Sequence, residues 1–317
     1  MLVIKPTALG DVAQALTVAP VLKSRGGRLA WLVDEDYAPL VAACPWVDEL
    51  ITFPRRRLRA APAAFARWLL TLRRHKFDLA LDLQGLARSA LMTRAVRAAR
   101  RVGLQSGREW SRLAYDEVVA DVQAHATDRY LTAALTVTGT ASGDAIANTQ
   151  LLVRPPDELP AGLQTGGYTV LHPYSKWETK LWPWRNYEQL ARLLPEEKFV
   201  LVGQGDFFPA TAPNLLDLRG QTDLRGLLTL LGAARAVVGT DSGPLHVAAA
   251  FDRPLVALFG ATDPHKTAPR ARQVKLLTID LSCRPCLRRH CQRANRMACL
   301  RAITPAQVAA AWRSLAD

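Results

Sequence analysis

Two kinds of hydrophobic pattern alternate along this chain. Short, nearly continuous apolar runs occur at Leu2–Lys5, Arg28–Val33, Glu49–Phe53, Leu79–Leu83 and Arg101–Leu104, and again at Thr169–His172, Phe199–Val202, Ala236–Gly239 and Pro254–Phe259. Bounded by turn residues and too short for helices, they read as buried strands. Between them lie stretches with apolar residues at helical spacing: Val12–Ser24, Pro62–Arg74, Ala87–Ala99 and Thr127–Val137 in the first half, then Trp184–Leu194, Leu224–Ala233 and Pro244–Ala250. Strand and helix in regular alternation predict an α/β fold with parallel sheets. The small, polar, Gly-bearing stretch Gly139–Gln150 is the best linker candidate. The pattern therefore divides into one Rossmann-like domain over 1–150 and a second over 151–303. A terminal helix over 304–317 has Thr304 as N-cap and Pro305 as first residue, and is expected to pack back toward the first domain. Two such domains would leave a ligand cleft between the carboxyl ends of their strands.

Composition adds a class and excludes others. The 317 residues are 49% hydrophobic and 22% charged, a soluble globular balance. No uninterrupted apolar run is long enough to span a bilayer, and Asp11 breaks the opening run where a signal peptide would continue, so a cytoplasmic protein is expected. The formal net charge of +13 calls for an anionic partner or surface. Between Arg55 and Arg112 fifteen Arg and Lys face only Asp78, Asp82 and Glu109, which places that surface in the first half. Nucleic acid, acidic lipid and phosphorylated glycolipid all fit the charge alone. No nucleic-acid recognition motif accompanies it, so a nucleic-acid-binding protein is the weaker reading.

Three turns carry candidate chemistry. Asp11 lies where the first strand gives way to the first helix; it reads first as a helix cap, with a catalytic carboxylate as the alternative. In "GTDSGPLHVAAA" (Gly239–Ala250) a strand ends in the Asp241-Ser242-Gly243 turn, and Pro244 opens a helix whose free N–H groups can bind phosphate. Asp241 would repel phosphate and suits sugar hydroxyls, although Asp241 and Ser242 could also be simple caps. The loop after Leu171 presents Ser175, Lys176, Thr179 and Lys180, hydroxyls and ammonium groups suited to a diphosphate. Neither a Walker loop nor G-x-G-x-x-G is present, against P-loop NTPases and dinucleotide dehydrogenases. Finally, Cys283, Cys286, Cys291 and Cys299 have a spacing compatible with a structural metal site, Zn or Fe, or with reduced or oxidised thiols; Cys44 stands apart as a core residue.

Five stretches together resemble one family: "KPTALGD" (Lys5–Asp11), "DLALDLQGLARSA" (Asp78–Ala90), "HPYSKWETKLWP" (His172–Pro183), "GTDSGPLHVAAA" and "LFGATDP" (Leu258–Pro264). In this order and spacing they resemble the ADP-heptose:lipopolysaccharide heptosyltransferases, inverting glycosyltransferases of the two-domain GT-B type. The resemblance implies transfer of a heptose from ADP-heptose to an anionic inner-core lipopolysaccharide acceptor of the Kdo–lipid A type, with no cofactor for catalysis. It implies Asp11 as general base and Lys180, Ser175, Thr179, Asp241, Ser242 and Gly243 as donor-binding. It implies Arg55, Arg56, Arg57, Arg88, Arg108, His125 and Arg129 as acceptor-binding, and peripheral contact with an anionic membrane. Arg88 stands where the familiar form of the motif has Lys, and the "YSKWETK" loop differs from the familiar threonine-rich form. A same-fold transferase using another nucleotide sugar or a protein acceptor is the alternative.

Overall fold

The computed structural model describes residues 1–58, 61–140, 151, 157–206 and 208–316. The proposed linker lies mostly outside the described residues. The chain divides into two compact units, Met1–Leu151 and Leu152–Asp317.

The first unit holds a six-stranded parallel sheet: β1 (Leu2–Ile4), β2 (Ala30–Asp34), β3 (Glu49–Phe53), β4 (Lys76–Asp82), β5 (Arg97–Leu104) and β6 (Glu117–Val119), in the order β3-β2-β1-β4-β5-β6. The second repeats the plan with β7 (Thr169–His172), β8 (Phe199–Leu201), β9 (Leu215–Asp217), β10 (Ala236–Thr240), β11 (Leu255–Leu258) and β12 (Val274–Leu277), in the order β12-β11-β10-β7-β8-β9. Both are the doubly wound order, with the direction of winding reversing between β1 and β4 and between β7 and β10. Loops leaving the two central strands there diverge to opposite faces, which opens a crevice at their carboxyl ends. β1 and β7 are fully buried, as strands covered on both faces must be.

Several elements depart from the sequence expectation. The helix expected over Val12–Ser24 is two, Leu9–Ala15 and Val18–Lys23. Pro20 has no N–H to continue the ladder and is accommodated near the start of the second. The helix expected over Ala87–Ala99 stops at Ala95, and β5 begins at Arg97, paired with Lys76 of β4. There strand pairing overrides the helical preference of Ala and Arg. β6, β9 and β12 lie at sheet edges, half-open to solvent, and so lack the continuous apolar run that marks an inner strand.

The terminal helix, Pro305–Ala316, places Val308, Ala309, Trp312 and Leu315 in the second unit's own core. The Trp312 indole donates to Thr169 Oγ1 at 2.9 Å, and Trp182 donates to the Ile303 carbonyl at 2.8 Å. Trp312→Ala would remove a buried aromatic and that bond together, and is expected to lower unfolding free energy by about 3–5 kcal/mol, read by denaturant titration.

Candidate functional site

The second unit's crevice is built by the exits of β7, β10 and β11. Gly239 lets the β10 backbone approach β7: a Cβ there would lie 2.8 Å from the His172 carbonyl and 2.7 Å from Leu245. The turn Asp241-Ser242 follows, then the helix Gly243–Ala250. Its N-cap Ser242 makes no capping bond; its hydroxyl meets His172 Nδ1 at 3.1 Å instead. The first amides of this helix are therefore left without the usual side-chain cap, a site suited to an anion.

Asp241 is buried, and its carboxylate is held from two sides. Thr262, on the β11 exit, donates to Oδ2 at 2.6 Å, and Lys180 Nζ lies 2.6 Å from the same oxygen. The ammonium group also sits 4.7 Å from the centre of the Trp177 ring. The structure thus joins three of the sequence motifs at one carboxylate: the Lys180 loop, the Thr-Asp-Ser-Gly turn and "LFGATDP". Ser175 lies beside them, its hydroxyl 3.4 Å from the Asp241 carbonyl. Asp241 is therefore not a cap.

Thr179 plays a different part from the one expected. Its side chain is buried, and its hydroxyl donates to the Arg288 carbonyl at 2.5 Å. It fastens the Cys- and Arg-rich segment to the Lys180 loop and has no hydroxyl to offer a donor in this arrangement. The same segment is tied in by Arg284, which donates to the Gly260 and Ile279 carbonyls at 2.6 Å each. Leu287 N–H donates to the Ala261 carbonyl, and Glu178 meets both His290 and Arg296. Cys283, Cys286, Cys291 and Cys299 are free, partly exposed thiols. Burial pushes the Cys299 thiol up, whereas the Met297 and Arg293 amides pull that of Cys291 down. Among the described residues no group of three or more His, Cys, Asp or Glu side chains is arranged to hold a metal ion.

His172, overlooked in the sequence as part of a strand, is the buried partner of Ser242. Burial pushes its imidazole down to about 4 from 6.5, so it is neutral at pH 7. Between those values the unfolded chain binds a proton here and the folded protein does not, so stability must fall as pH drops through that window. Calorimetry between pH 7 and pH 5 should show the thermal midpoint falling, with a shallower slope for His172→Gln.

In the first unit the crevice lies between the exits of β1 and β4. Asp11 sits in the first turn of Leu9–Ala15, and Oδ2 accepts the Ala8 N–H at 3.1 Å. The capping role is thus real, yet the side chain is exposed and its second oxygen has no partner among the described residues. From the β4 exit, Gln84 Oε1 accepts the Thr7 N–H at 3.1 Å, and Lys5 Nζ donates to the Leu83 carbonyl at 3.2 Å.

The expected acceptor residues separate into groups. Arg55 and Arg88 line one cavity of about 270 Å³ with Phe53, Leu58, Pro62, Phe65 and Leu91, the Arg88 guanidinium lying 5.9 Å from the Phe53 ring centre. Arg55 is anchored there by the fully buried Asp34 at 2.5 Å. Arg56 and Arg57 are exposed and pair with Asp36 and Glu35. The acidic turn Asp34-Glu35-Asp36 therefore offsets the densest basic run, a pairing hidden by distance in sequence although "VDED" is plain to read. Arg108 is exposed on the loop after β5, its backbone N–H bonded to the Gly85 carbonyl at 2.8 Å. His125 is buried as the N-cap of Ala126–Thr138, and Arg129 stands 3.8 Å from the buried Asp121. These last two are engaged in holding structure, unlike Arg88 and Arg108.

The sequence model of glycosyltransferase family 9 (heptosyltransferase) matches residues 66–296. Lipopolysaccharide heptosyltransferase 1 of Pseudomonas aeruginosa is 29% identical, the alignment covering 92% of this chain and 87% of that protein. Lipooligosaccharide heptosyltransferase 2 of Haemophilus ducreyi is 26% identical over 88% of each. Among solved structures, E. coli heptosyltransferase WaaC with ADP-2-deoxy-2-fluoro heptose superposes with a TM-score of 0.77 at 23% identity, covering 99% of this chain and 98% of that one. That likeness shows the fold, which is of GT-B type. Among the described residues no helix is long and apolar enough to cross a membrane.

Proposed function

From the premise that this chain belongs to glycosyltransferase family 9, the heptosyltransferases, we propose that it transfers a heptose from ADP-heptose to an anionic inner-core glycolipid with Asp11 as general base. The observation that carries the donor half is the meeting of Lys180, Asp241 and Thr262 beside the uncapped Gly243–Ala250 helix. A nucleotide sugar needs positive charge at its diphosphate and acceptors at its sugar hydroxyls. The Lys180 ammonium and the helix amides supply the first, and the Asp241 carboxylate, with Ser175 and Ser242 close by, supplies the second. WaaC, one of the structural neighbours, was solved with ADP-2-deoxy-2-fluoro heptose.

In the reaction, an acceptor hydroxyl oxygen attacks the anomeric carbon on the face opposite the diphosphate. The new C–O bond forms as the bond to the β-phosphate oxygen breaks, the configuration inverts, the proton passes to Asp11 and ADP leaves. Asp11 is suited to the proton because its cap bond orients one oxygen and leaves the other free. Lys180 and the helix amides stabilise charge that grows on the leaving diphosphate. Arg88, with Arg108, would hold an anionic acceptor, and the basic first unit would bring the protein to an anionic membrane surface on its cytoplasmic side. The four cysteines are assigned no step.

The test is ADP release by the purified protein given ADP-heptose and a Kdo–lipid A type acceptor. Release that depends on acceptor is the expected result. ADP binding without release, with this pair, would overturn the assigned donor and acceptor and direct the search to other nucleotide sugars.

A further inference from the structure

Asp82 ends β4 and is fully buried. Nothing in the proposed reaction uses this carboxylate directly, yet it collects four donors. Oδ1 accepts the backbone N–H groups of Gln84 at 2.8 Å and Gly85 at 3.1 Å; Oδ2 accepts the Tyr115 hydroxyl at 2.8 Å and the Thr93 hydroxyl at 3.4 Å. Gly103 makes room for Tyr115, since a Cβ there would fall 2.1 Å from the ring. A buried carboxylate without such donors would be costly; with them, it fixes the turn that supplies two of the four.

That turn is tied to the segments bearing three first-unit candidates, Asp11, Arg108 and Arg88. Gln84 Oε1 accepts Thr7 N–H, one residue before the Ala8 N–H that bonds Asp11. The Gly85 carbonyl accepts Arg108 N–H. Its continuation opens the Ala87–Ala95 helix, which carries Arg88. We propose that Asp82 and Gln84 are positioning residues for Asp11: Asp82 locks the Gln84–Gly85 turn, and the Gln84 carbonyl oxygen holds the Thr7–Ala8 segment from which the Asp11 carboxylate is hung. The proposal rests on the reading of Asp11 as base. Neither side chain touches the reacting atoms; a shift of the carboxylate by a fraction of an ångström is what their loss would produce.

Gln84 is the better position to test, because it is only partly buried and its replacement spares the core. Gln84→Met keeps length and loses the acceptor; Gln84→Glu keeps an acceptor oxygen at the same place. Three measurements are made on the full chain: kcat with KM for ADP-heptose, ADP affinity, and hydrogen exchange by mass spectrometry over Thr7–Val12. Gln84→Met is expected to lower kcat about 10- to 100-fold with KM and ADP affinity within about twofold of wild type. Exchange at Thr7–Val12 should quicken, and Gln84→Glu should restore slow exchange. Unchanged exchange in Gln84→Met overturns the proposal whatever the activity. A loss of kcat matched by weaker ADP binding also overturns it, since Gln84 would then act through the donor. If Asp11→Ala retains transfer, the base reading fails by itself, while the exchange result still decides whether Gln84 holds the loop.

Discussion

The Asp11→Asn variant is expected to fold, to bind ADP as the wild type does, and to transfer sugar about 10²–10⁴ times more slowly. The substitution separates the capping bond seen in the structure from the proposed role as base. Asn retains an oxygen that can accept the Ala8 N–H, so the first turn of Leu9–Ala15 keeps its cap. It cannot take a proton from an acceptor hydroxyl. ADP affinity should hold, because the proposed donor groups belong to the second unit. Asp11→Ala should lose the same activity and in addition about 1 kcal/mol of stability, the ordinary worth of a cap. If Asp11→Asn transfers at the wild-type rate, Asp11 is a cap only, and the base must be sought elsewhere. Steady-state ADP release and thermal unfolding on the two variants decide between these outcomes.

The second large effect is at Lys180. Lys180→Met is expected to lower kcat/KM about 10²–10³-fold through loss of charge at the leaving diphosphate. It should also destabilise the free protein by about 3 kcal/mol, because among the described residues the buried Asp241 carboxylate then keeps only the Thr262 hydroxyl. The two consequences can be uncoupled. In a Lys180→Met, Asp241→Asn double variant no charge is left unpaired, so most of the stability should return while transfer stays lost. Recovery of activity in the double variant would mean that Lys180 serves only to neutralise Asp241. In the free protein the ammonium group is shared with Asp241, and binding of a diphosphate would draw it toward the phosphate oxygens.

The candidate site was legible where chemistry follows from local sequence. Gly239, Asp241, Ser242, Gly243 and Pro244 read as a strand exit and helix start because each residue's conformational preference acts within a few positions. The Asp11 cap was legible in the same way. Thr262, by contrast, carries no local mark; it matters because the β11 exit places its hydroxyl on the Asp241 carboxylate. Thr179 shows the converse. A hydroxyl in a Lys-bearing loop suits phosphate, but this one is buried against Arg288, far along the chain.

What the sequence determined alone was the alternation of strand and helix, the division into two α/β halves, the inner strands, and which turns bear ionisable and hydroxyl groups. These follow from side-chain periodicity and backbone preference, which are short-range. The tertiary structure decided the edge strands β6, β9 and β12, the neutralising of Arg55, Arg56 and Arg57 by the Asp34–Asp36 turn, the seating of Lys180 on Asp241, and the grip of Asp82 on the loop that leads to Asp11. Pairing and desolvation depend on which groups meet in space, and in a doubly wound sheet the loops that meet at a switch point come from strands far apart in the chain.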